Sequence, residues 1–108
     1  MRRVRIVSSS GVELAAASES DAGVLELGGN WYFEPSRVNA DSLEVTSSTY
    51  ACPNKGTCRW VDYVGEEGRI PQVAWICVDP LPGYEAIRGR YGFYPTTRAG
   101  TMARVQPG

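Results

Sequence analysis

Five consecutive residues, Cys52-Pro53-Asn54-Lys55-Gly56, set a thiol, a rigid turn residue, an amide, an ammonium and a glycine side by side. A cysteine becomes a nucleophile when it loses its proton, and an ammonium such as Lys55 close by favours the thiolate. Pro53 sets a turn and Gly56 accepts positive φ, so successive N–H groups there can face a common concavity suited to an anion. Lys55 would add a point charge to it. The same residues have a plainer reading, as a cysteine buried at a strand end followed by a solvated lysine on an ordinary turn. Three functions follow. One is a binding module that holds the anionic group of a small, nucleotide-like ligand. The second is an enzyme acting through Cys52 and Lys55. The third is an interaction domain that uses an exposed strand edge and binds no small ligand.

Composition narrows the chemistry. The chain has 108 residues and no histidine. Ser-His-Asp and Cys-His machinery, His-ligated zinc and a His-based pH switch are therefore excluded. A general base would have to be Asp, Glu, Lys, Tyr or a thiolate. With 11 Lys and Arg against 12 Asp and Glu, the net charge is −1. Bulk binding of nucleic acid, which needs a basic face to displace counterions, is not expected. The three cysteines, Cys52, Cys58 and Cys77, contain no C-x-x-C pair. That removes zinc-ribbon and thioredoxin-like motifs. No fourth ligand accompanies them, so neither a metal nor a cofactor is expected. Free thiols point to the cytoplasm. No apolar run reaches the roughly 18 residues of a membrane span, and no signal-type apolar stretch follows the basic start Met1-Arg2-Arg3-Val4-Arg5. No membrane partner is expected.

The elements that must position these side chains are short strands. Turn signals recur every eight to twelve residues, which predicts a meander. Residues 4–7 and 12–16 make a first hairpin around Ser8-Ser9-Ser10-Gly11, and residues 24–27 and 31–33 a second around Gly28-Gly29-Asn30. Residues 35–43 predict a short helical turn opened by Pro35, and residues 44–50 an exposed strand. Residues 57–64 form the clearest strand, with Cys58, Trp60 and Asp62 on one face and Arg59, Val61 and Tyr63 on the other. The apolar run 73–78 predicts a central strand covered on both faces. A helical turn at 84–87 and a last strand to Tyr94 follow, with Arg88 and Arg90 sharing one face of that strand. The fold expected is all-β and mostly antiparallel. It has about seven short strands in two sheets or a partly open barrel, with one or two helical turns. Residues 1–94 would form the single domain and 95–108 a flexible tail.

Three stretches together resemble a known family. They are Asn30-Trp31-Tyr32-Phe33-Glu34-Pro35, then Thr49-Tyr50-Ala51-Cys52-Pro53-Asn54-Lys55-Gly56-Thr57, then Ala74-Trp75-Ile76-Cys77-Val78-Asp79-Pro80. In order and spacing they resemble the DUF427 family, a small bacterial and fungal domain of unknown function. That pattern has an aromatic-aromatic-Phe-Pro segment, a Thr-x-Cys-Pro-x-Lys-Gly segment and an Ala-Trp-aromatic segment. Here Glu34 intervenes before Pro35, Arg37 stands where an acid is common, Cys58 replaces a small alanine, and Ile76 and Cys77 replace frequent aromatics. The resemblance implies a compact antiparallel β fold and a bacterial source. The family also carries a nucleotidyltransferase label. The chain shows neither a Gly-Ser with paired aspartates for two metals nor a Walker-type phosphate loop.

The expected site gathers Cys52, Asn54, Lys55 and Gly56 at the mouth of the folded sheet, opposite Trp31 and Tyr32. Either ring could stack on a planar ligand, although aromatic residues more often fill a small core. Arg88 and Arg90 could clamp an anion with Lys55, or lie on a solvated strand face. Asp62, Glu66 and Glu67 read as solubilising charge near a hairpin tip.

Overall fold

A computed structural model of the chain describes residues 2–53, 55–66, 68–95 and 101–106. These fold into two antiparallel sheets with 3-10 turns and no longer helix. The strands in chain order are β1 (Arg3–Ser8), β2 (Glu13–Ser18), β3 (Val24–Leu27), β4 (Asn30–Phe33), β5 (Leu43–Cys52), β6 (Gly56–Gly65), β7 (Gly68–Pro80), β8 (Tyr91–Phe93) and β9 (Thr101–Gln106). The smaller sheet has the order β2-β1-β9 and the larger β3-β4-β8-β7-β6-β5. The fold is thus all-β in two sheets, as expected.

Period-two alternation builds the core. In β4, Trp31 and Phe33 point between the sheets while Tyr32 points to the far side of the larger sheet. In β6, Val61 and Tyr63 face the small sheet, and Cys58 and Trp60 face away. Val4 and Ile6 of β1 and Leu14 of β2 meet this inner face and are fully buried. Phe33 and Phe93 touch edge to face, centroids 5.8 Å apart at 81°. Each large apolar side chain withdrawn in this way stabilises the fold by about 1.5–3 kcal/mol.

Residues 101–106 depart from the expected tail. They form β9, which pairs with β1 from Arg3↔Gln106 to Ser8↔Thr101. The physical reason is the central place of β1: with β2 on one side, its other row of N–H and C=O groups needs a partner. Thr101 is buried and Ala103 packs on the core, so a weakly apolar segment suffices. Residues 96–100, 107 and 108 of that tail lie outside the described residues.

The last strand is also shorter than expected. β8 covers only Tyr91–Phe93, because a 3-10 turn at Glu85–Ile87 precedes it and Gly89, at φ 73°, turns the chain. Arg88 caps that turn and Arg90 follows it, so they do not share a strand face. Gly92 is needed for another reason. A Cβ there would lie 2.4 Å from the Trp75 indole nitrogen, so the indole rests directly on the β8 backbone.

Two irregularities interrupt the meander. Between Val61 and Tyr63 the β6–β7 register shifts, and the buried Asp62 holds the shift. Its Oδ2 accepts from Arg69 Nη1 at 2.8 Å and its Oδ1 from the Gln72 N–H at 3.0 Å. Asp62 is therefore a structural carboxylate rather than surface charge. At the edge, β5 breaks register with β6 between Val45 and Thr49. There the Thr46 hydroxyl donates to the Trp60 carbonyl at 2.9 Å and accepts from the Ser48 N–H at 3.2 Å.

Candidate functional site

The far face of the larger sheet carries a second cluster, centred on Tyr32, Cys58, Trp75, Cys77 and Ile87. Rings dominate it. Tyr32 meets Trp75 edge on at 6.1 Å, Tyr94 meets Trp75 at 4.9 Å, and Tyr50 stacks on Trp60 at 4.5 Å and 23°. Tyr32 and Trp75 are buried, while Tyr50, Trp60, Tyr84 and Tyr94 remain half-buried at its margin.

Lys55 reaches this face from the turn between β5 and β6. Gly56 fixes the turn: its φ is 120°, and a Cβ would stand 2.2 Å from the Asp79 carbonyl oxygen. Only glycine allows the start of β6 to lie so close to the end of β7. The Leu81 N–H donates to the Lys55 carbonyl at 2.8 Å and anchors the turn from the other side. The Lys55 ammonium then donates to the Tyr32 hydroxyl at 3.3 Å and lies 5.7 Å from that ring's centroid. It also covers Gly28, where a Cβ would be 2.9 Å from Nζ. Gly28 belongs to the β3–β4 turn and Lys55 to the β5–β6 turn, and β3 and β5 are the two edges of the sheet. The sheet is curled enough for its two ends to meet through this one side chain. Among the described residues no carboxylate pairs with Lys55.

A row of side chains crosses the same face. Tyr50 lies opposite Cys58, Cys58 opposite Cys77, and Cys77 bridges to Arg88. Burial, and next the neighbouring Cys58, push the Cys77 thiol up to about 11. Burial also pushes the Tyr50 hydroxyl up, with Cys58 and Cys52 adding to the effect. At neutral pH both groups rest in their protonated forms.

A scan of family models decides the affiliation: the one described as NTP_transf_9, Domain of unknown function (DUF427), matches residues 1–104. The chain belongs to the DUF427 family. The match runs past residue 94 into β9, so most of the strand that completes the small sheet lies within the matched DUF427 region. No curated protein matches the chain.

Within this DUF427 fold the expected site residues separate. Tyr32, Lys55 and Gly56 come together as described. Asn54 lies outside the described residues. Cys52 is half-buried at the end of β5, opposite Gly56. Trp31 does not share the face of Tyr32. It is buried between the sheets with the Arg2 guanidinium 5.6 Å from its ring, because neighbours on a strand point to opposite sides. Arg88 donates to the Val78 carbonyl at 3.3 Å, and Arg90 to the Ala22 carbonyl at 3.2 Å. They therefore serve different parts of the fold. Tyr50, two residues before Cys52 on β5, packs against the same far-face cluster. An open cleft of about 530 Å³ lies elsewhere, bordered by Val12, Asp41, Ser42, Tyr63 and Glu66, away from Lys55. Among the described residues no three Cys, Asp or Glu side chains gather as a metal-binding group.

Proposed function

We propose that this DUF427 domain binds a small ligand that combines an anionic group with a flat ring, of which a nucleotide is the type. The carrying observation is the Lys55 ammonium, held on Tyr32 at the margin of an aromatic face with no carboxylate among the described residues to neutralise it. An ammonium fixed by a hydroxyl and a ring keeps donors for a phosphate or carboxylate oxygen. The half-buried Tyr50–Trp60 stack supplies a surface for a planar group. Binding is favoured over catalysis through Cys52 because the Lys55 ammonium, which would have to activate that thiol, is engaged by Tyr32. The net charge of −1 suits a single ligand anion better than a polyanion.

A thermal-shift titration with nucleotides and phosphorylated metabolites tests the reading. Ligand should raise the melting temperature in a saturable way, as mass action requires. Lys55→Gln should abolish that rise. If no compound shifts the protein, or the variant responds as strongly as the parent, the reading fails.

A further inference from the structure

Cys58 and Cys77 stand directly opposite each other on β6 and β7. Both thiols lie in the cluster on the far face of the larger sheet, and their residues are 1% and 0% exposed. Cys58 donates to the Gly56 carbonyl at 3.9 Å and Cys77 to the Thr57 carbonyl at 3.7 Å, both on β6. Thiols are weak donors, so little is lost when these contacts are given up. The remaining cysteine, Cys52, sits on β5 opposite Gly56 and takes no part in the pairing.

We propose that Cys58 and Cys77 are an oxidisable dithiol, converted by hydrogen peroxide into a reversible cross-strand disulfide beneath the aromatic face. Residues facing each other on antiparallel strands have Cα atoms about 4.5–5.5 Å apart, within the ~4.4–6.8 Å that a disulfide spans. Their Cβ atoms ordinarily stand about 4.5–5.5 Å apart, wider than the ~3.8 Å mean for a bridge. The bond must therefore draw β6 and β7 together, and it stays readily reducible. The register shift between Thr57 and Cys58 gives the strands local freedom to do so. Burial selects a water-sized oxidant over a bulky disulfide.

The chemistry balances. One cysteine sulfur, as its thiolate, attacks a peroxide oxygen and breaks the O–O bond. It becomes a sulfenic acid, and the hydroxide released takes up the thiol's proton to leave as water. The second sulfur attacks the sulfenic sulfur, forms the S–S bond and expels hydroxide, which leaves as water with the second thiol's proton. Two thiols lose two electrons, and one peroxide is reduced to two waters.

The test treats the native full chain and its Cys52→Ser variant with hydrogen peroxide, blocks residual thiols and measures intact mass and a peptide map. In the Cys52→Ser protein the expected product is two hydrogens lighter than its parent. Its map joins the peptide of Cys58 to that of Cys77, and dithiothreitol restores the original mass. Cys58→Ala and Cys77→Ala should each abolish the product. The map on the Cys52→Ser protein carries the result if either alanine variant fails to fold. The proposal is overturned if the bridge joins Cys52, if only oxygen adducts form, or if the link arises only after unfolding.

Discussion

The Lys55 ammonium and the Tyr32 hydroxyl stand 3.3 Å apart, although β8 and β7 separate their positions in the sheet. One side chain thus spans the curl. Removing either end should loosen it. Tyr32→Phe keeps the ring beneath the cation but deletes the acceptor, and should cost about 0.5–1.5 kcal/mol. Lys55→Ala also removes the cation–ring contact and should cost about 0.5–1 kcal/mol more. Urea denaturation of both single variants and the double variant measures the coupling. Independent, additive losses would show that the contact contributes nothing.

Gly56 should be the least replaceable glycine of the two hairpin turns that Lys55 joins. Gly56→Ala brings a Cβ against the Asp79 carbonyl oxygen at 2.2 Å in a backbone of φ 120°. A clash with backbone cannot be relieved by a rotamer change, so a loss above about 2 kcal/mol is expected. Gly29, at φ 85°, meets nothing within 4 Å. Gly29→Asn should cost well under about 1 kcal/mol, because asparagine tolerates that region. Thermal unfolding of the two variants distinguishes them directly.

The buried Asp62 is expected to hold the β6–β7 register shift through the Gln72 N–H and Arg69. Asp62→Leu should lower the melting temperature by more than any surface carboxylate variant, since it orphans the Gln72 N–H and leaves Arg69 only its pairing with Glu44. Gln72 has φ 59°, a costly value for a side-chain-bearing residue. Gln72→Gly should therefore raise stability by about 0.5 kcal/mol, the relief of strain less glycine's own chain entropy. Chemical denaturation reads both.

Stability should fall at alkaline pH. Folding raises the Cys77 thiol from 9.0 to about 11. Its folded state therefore holds a proton that the unfolded chain releases between those values. In that window the folded state binds more protons, so unfolding free energy declines as pH rises. Tyr50, raised from 10.0, acts in the same direction. Cys77→Ala should flatten the decline between pH 9 and 11, measured as denaturation midpoint against pH. An unchanged slope in the variant would remove Cys77 from the account.

The sequence made the strands legible wherever apolar and polar residues alternate with period two. The hairpins of β1 with β2 and β3 with β4, and the β5–β6–β7 meander, follow from it. The same rule, applied to neighbouring residues, should have separated Trp31 from Tyr32, since adjacent strand residues cannot share a face. Arg88 and Arg90 went astray because a turn with Gly89 at positive φ imitates alternation without being a strand. β9 was illegible for a different reason: its content is set by what β1 lacks, a partner that only the assembled sheet requires. Asp62 likewise reads as surface charge until the register shift encloses it. The contact of Lys55 with Tyr32 depends on curl, which no local pattern encodes.

The break in β5 bears on how the molecule behaves in a crowd. A ten-residue strand at a sheet margin is a ready template for another chain, because its outward N–H and C=O groups stand in an unbroken line. Here Thr46 diverts the line into its own hydroxyl contacts with Trp60 and Ser48. The interruption divides the pairing of β5 with β6 into two short runs, Leu43 to Val45 and Thr49 to Cys52. The irregularity at Thr46 thus blunts this edge as bulges blunt exposed edge strands in general.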